Sequence, residues 1–79
     1  MKTLLGSVGN CKANGHRVEV LQCASGVILE HEHNGDKSGL SLKFCTYARY
    51  IEFIASLDAT NGEALLYETL VRLGVFSTP

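Results

Sequence analysis

The chain has 79 residues, 46% of them hydrophobic and 19% charged, with seven Lys and Arg against eight Asp and Glu and a formal net charge of -1. That length is expected to form a single domain, residues 1–79, with little chain to spare for a buried catalytic cleft, since so short a chain withdraws only about 60–65% of its unfolded surface from water. The balanced charge supplies no basic stripe for neutralising phosphates and disfavours direct nucleic-acid binding, and no run approaches the ~18 apolar residues of a membrane helix.

At the start, Lys2 precedes Leu4 and Leu5 in the manner of an export signal. Gly6, Ser7 and Gly9 interrupt the apolar stretch well short of a signal core, and Asn10 is a poor residue before a lipidated Cys11, so a cytoplasmic location is expected. The odd number of cysteines, Cys11, Cys23 and Cys45, has neither zinc-site spacing nor the density of a disulfide framework and fits a reducing compartment.

Glycine then punctuates the first half. Asn14-Gly15, Ser25-Gly26, Asn34-Gly35 and Ser38-Gly39 are turn-forming pairs. Between them, His16–Cys23 and Val27–His33 have strand length and β-branched content, and Leu40, Leu42 and Phe44 alternate with Ser41 and Lys43. With a weaker first strand near Leu4–Cys11, these segments predict a four-stranded antiparallel meander. Its register stays open, because one residue of slip exchanges the two faces.

The second half reads as two helices. Tyr47, Tyr50, Ile51, Ile54 and Leu57 recur at helical spacing after Thr46, a residue suited to an N-cap, which predicts a helix over about 46–57. Thr60 and Glu63 have capping-box spacing, Leu65, Leu66, Thr69, Leu70 and Leu73 continue on one helical face, and Gly74 stands where a left-handed C-terminal cap belongs, predicting a helix over about 62–73. Both helices packed on one face of the meander make an α+β two-layer sandwich.

Several constellations carry potential chemistry. His31 and His33 alternate on one strand and so share a face, as two metal ligands would, but a site needs further donors, which only His16 or Cys23 offers, without diagnostic spacing. No metal or other cofactor is expected. The cysteines and histidines specify no positioned nucleophile, base and oxyanion site, so no enzyme activity is expected. Gly35 to Gly39 superficially echoes a phosphate loop, lacks its spacing and reads as a flexible hairpin loop. Glu30 and Glu32 share a strand face, Glu19 is on the neighbouring strand and Asp36 lies in the following loop, so Glu19, Glu30, Glu32 and Asp36 form a candidate protein-contact patch for a basic partner. The alternative reading of these carboxylates is solvated charge that discourages edge-to-edge aggregation. Tyr47, Tyr50 and Tyr67 read as core, or as binding residues wherever their rings remain exposed.

Residues 39–76, a strand at Leu40–Phe44 followed by two short helices, resemble the ribbon-helix-helix order of small dimeric DNA-binding repressors and antitoxins. That resemblance implies that Ser41 and Lys43 read the major groove. In size and overall pattern, from Val8 to Phe76, the chain also resembles the small inhibitors that phages encode against bacterial defence systems, anti-CRISPR proteins in particular. This second resemblance carries over no functional residue. It implies stoichiometric blocking of a CRISPR surveillance complex or nuclease by steric occlusion or by acidic mimicry of nucleic acid, and the expected protein is a non-catalytic protein-binding module, monomeric or homodimeric.

Overall fold

The computed structural model describes residues 2–9, 15–57 and 62–75. Alternating apolar side chains and tight turns produce β1 (Thr3–Gly9), β2 (His16–Cys23), β3 (Gly26–His33) and β4 (Asp36–Phe44), followed by α1 (Tyr47–Ser56) and α2 (Gly62–Arg72). The strands pair antiparallel in the order β1-β2-β3-β4, the predicted meander. The architecture is therefore α+β, with the strands first and the helices last.

Register decides which side chains meet. Val18 pairs with Val8 and His31, Val20 pairs with Leu29, which pairs with Leu42, and Val27 pairs with Phe44. Because side chains alternate along a strand, these rows share one face. On it α1 contacts β3 and β4 while α2 contacts β1 and β2. The core joins Val18, Val20, Val27 and Leu29 to Phe53 of α1 and to Leu66 and Leu70 of α2. Phe44 packs on Phe53 at 5.2 Å and edge-on to Tyr50 at 5.8 Å, which ties the end of β4 to α1.

Local chemistry fixes the element ends. Thr46 caps α1 by accepting the Arg49 N–H at 3.1 Å. At the end of α2, Val75 N–H donates to the Leu70 carbonyl at 2.9 Å and Gly74 N–H to the Val71 carbonyl at 3.1 Å, the paired bonds of a Schellman cap centred on Gly74. Val75 consequently folds back onto the core. Thr69, fully buried in α2, satisfies its hydroxyl by donating to the Leu65 carbonyl at 2.8 Å.

The structure corrects the flexible-loop reading of residues 35–39. Asn34 and Gly35, both at positive φ (53° and 88°), close the β3–β4 turn by themselves, so β4 begins at Asp36. A register shift opposite Glu30–Glu32 absorbs the irregularity within the strand. The Asn14-Gly15 turn, the Thr60–Glu63 capping box and Cys11 involve positions outside the described residues or side chains. No helix among the described residues is long and apolar enough to cross a membrane.

Candidate functional site

With both helices on one face, the described residues leave the other face of the sheet open. Three cross-strand rows line it: Leu4–Leu21–Ile28–Lys43, Ser7–Glu19–Glu30–Ser41 and Gly9–Arg17–Glu32–Lys37. The first row is largely apolar. Leu4 is 55% exposed, whereas Ile28 is 9% exposed and lies outside the main core cluster.

The other two rows bring Glu19, Glu30 and Glu32 together, as the sequence reading placed them. Asp36 is separated from them. It pairs in register with His33, one residue beyond Lys37, and alternation turns it to the opposite side of the sheet. Lys37, read from sequence as a loop residue, is the hub of the cluster: its ammonium bonds Glu19 directly and lies 3.0 Å from Glu32 and 3.8 Å from Glu30. Arg17 adds contacts to Glu19 at 3.2 Å and Glu32 at 3.7 Å, and Lys2 reaches Glu30 at 3.5 Å. At 3.7 Å the Arg17 Nε is within Coulombic reach of Glu32 but beyond hydrogen-bond distance, and this buried nitrogen has no hydrogen-bond partner. Three carboxylates thus face three cations, and the patch is charge-balanced within the chain.

The hydrogen bond from Lys37, reinforced through Glu32, holds the Glu19 carboxyl down to about 2, and the same bond raises Lys37. A carboxyl depressed from 4.5 contributes stability that is complete above about pH 4.5 and disappears as the pH falls toward about 2. Lys37→Ala is expected to remove about 1 kcal/mol at pH 7, a value kept small by the water around the half-exposed lysine. Urea unfolding at pH 7 and pH 3 checks this. The variant should lose less stability on acidification than the native chain, and equal losses would show that Lys37 does not hold Glu19.

The histidines gather at the end of the sheet that carries the β1–β2 and β3–β4 connections. His16 Nδ1 lies 2.9 Å from His31 Nε2, and His16 stacks on His33 with centroids 4.5 Å apart and planes inclined by 16°. Among the described residues, no three His, Cys, Asp or Glu side chains are arranged to hold a metal ion. Cys23 lies at the other end of β2, its thiol lowered by the Ser25 hydroxyl at 3.2 Å, and Cys45 follows β4, next to Gly26. Cys23 lies seven residues along the strand from His16, roughly 23 Å away.

No family model, curated protein or solved structure matches this chain. The residues themselves must carry the functional reading. Ser41 and Lys43 do face outward from β4, as the repressor resemblance implies, but Ser41 sits directly opposite Glu30 and Lys43 opposite Ile28. Of the three tyrosines, Tyr50 packs against the core while Tyr47 and Tyr67 remain exposed on the helices.

Two features escaped the sequence reading: the cations that neutralise the carboxylates, and Ser38, whose hydroxyl lies 2.7 Å from His31 Nδ1. Lys37 and Ser38 depend on β4 beginning at Asp36, whereas Arg17 meets Glu32 through the β2–β3 register. The Asn34-Gly35 pair was the available signal, because a two-residue turn places Lys37 opposite Glu32 and brings Ser38 beside His31.

Proposed function

We propose that this chain is a small non-catalytic protein-binding module that acts by covering a surface of its partner. The resemblance to anti-CRISPR proteins supplies the class of partner, a bacterial defence complex such as a CRISPR surveillance complex or nuclease. The observation that carries the binding reading is the open sheet face, where the exposed Leu4 and half-buried Leu21 adjoin a charge-balanced array of ion pairs. An apolar strip bordered by polar groups is the usual anatomy of a protein contact.

Area supports the same reading. Four strands at about 4.8 Å spacing present a face on the order of 500 Å², a large share of the roughly 800 Å² that each partner contributes to a standard interface. Because the three carboxylates are neutralised by Lys2, Arg17 and Lys37, the face favours steric occlusion over mimicry of a polyanion.

The test is capture from a bacterial lysate on the immobilised chain, at low and high salt, with and without nuclease treatment. The expected result is a stoichiometric protein partner retained after nuclease treatment and at high salt. Nucleic acid recovered without such a partner and released by salt would overturn the reading and favour the repressor-like alternative, with Ser41 and Lys43 as its contact residues.

A further inference from the structure

His31 is 3% exposed and bonded at both ring nitrogens, through Nε2 to His16 Nδ1 at 2.9 Å and through Nδ1 to Ser38 Oγ at 2.7 Å. Ser38 is itself anchored, with its hydroxyl 3.2 Å from the His31 carbonyl and accepting the Leu40 N–H at 3.2 Å. The cluster closes one end of the sheet: His16 and His33 form the last pair of the β2–β3 ladder, and the Asn34 N–H beside them donates to the Gly15 carbonyl at 2.7 Å.

Proton counting gives this arrangement its consequence. One proton lies in the N···N bond between His16 and His31, so in the neutral pair one nitrogen donates and the other accepts. A first added proton preserves the bond, because a doubly protonated ring still donates to its neighbour's lone pair. A second sets N–H against N–H across 2.9 Å and breaks it. His33, stacked on His16, adds like charge whenever it too is protonated. The unfolded chain has no such restriction and takes one proton per histidine around pH 6.5.

We propose that the His16–His31–Ser38 chain is an acid-opened latch, which holds the loop end of the sheet closed while the histidine pair carries at most one added proton and releases it when a second enters. Burial foremost, then His16 and His33, push His31 below its ordinary value, while Glu32 from the open face opposes them. Asp36, the first residue of β4, pairs in register with His33. On the overlying helices, the described pairs Arg49–Glu52 and Glu68–Arg72 engage each other. A histidine depressed in the folded state contributes stability that is complete above pH 6.5 and declines as the pH falls below it, by up to about tenfold in the folded-to-unfolded ratio per pH unit for each proton refused. The Glu19 carboxyl acts in a lower window, below pH 4.5, so the two effects separate.

The experiment is NMR on the intact chain from pH 7.5 to 5.0, following the histidine ring signals together with amide exchange at Asn34 and, as a core reference, Leu29. Asn34 is expected to lose protection relative to Leu29 as the second added proton enters the His16–His31 pair. His33→Gln, at an exposed position, should move that opening to lower pH without lowering the urea midpoint at pH 7.5. Both rings of the pair protonated at pH 5.0 with Asn34 still protected would overturn the latch, as would opening at an unchanged pH in His33→Gln.

Discussion

Gly26→Ala is expected to destabilise the fold by about 3–4 kcal/mol, near the upper end for adding a single methyl group. An added Cβ would stand 2.0 Å from the Phe44 carbonyl oxygen and 2.8 Å from the carbonyl carbon and oxygen of Cys45, all backbone atoms that cannot rotate away. Gly26 also holds φ at +128°, a conformation side chains avoid. Relief would require β3 and the end of β4 to separate where Val27 pairs with Phe44, and Phe44 holds Phe53 of α1. Gly35→Ala is the control. Its φ of +88° is likewise positive, but its added methyl meets open space, so about 1 kcal/mol of conformational strain is expected. Urea midpoints of the two variants decide the matter, and equal shifts would contradict the close approach of Gly26 to β4.

Leu29→Ala is expected to cost about 3 kcal/mol, within the range for a leucine that leaves a cavity in a tight core. Leu29 is 1% exposed, pairs with Val20 and Leu42, and belongs to the cluster shared by the sheet and both helices. A domain of 79 residues has roughly 4–12 kcal/mol of stability in all. The substitution therefore removes a large fraction of it, and thermal unfolding should show a markedly lower midpoint. A loss below about 1 kcal/mol would mean that the helices do not pack over this position.

The fold was legible where one local rule governed each element. Alternation of Leu40, Leu42 and Phe44 marked the end of β4, Thr46 marked the start of α1, and Gly74 marked the Schellman cap of α2. Residues 36–39 were misread because their glycine, serine and charged residues look like a loop, whereas a two-residue turn and a register shift keep them in the strand. Two residues of spacing sufficed to put Glu30 and Glu32 on one face. Their neutralisation was hidden, because Lys37 reaches them only through the β3–β4 register and Arg17 only through the β2–β3 register. Likewise His31 and His33 were visible as a same-face pair, but the stack with His16 follows from His16 pairing with His33, one of several registers the sequence allowed.

The open face is tested most directly by substituting it alone. Leu4→Lys and Ser41→Arg alter exposed positions of two rows, and Tyr67→Ala alters an exposed position on α2 on the other side of the molecule. With urea midpoints matched to the native chain, the measurement is the affinity of each for the captured partner by calorimetry. The expected result is a loss of at least tenfold for Leu4→Lys and Ser41→Arg and native affinity for Tyr67→Ala. Native affinity in both sheet variants, with loss confined to Tyr67→Ala, would contradict the open sheet face as the binding surface.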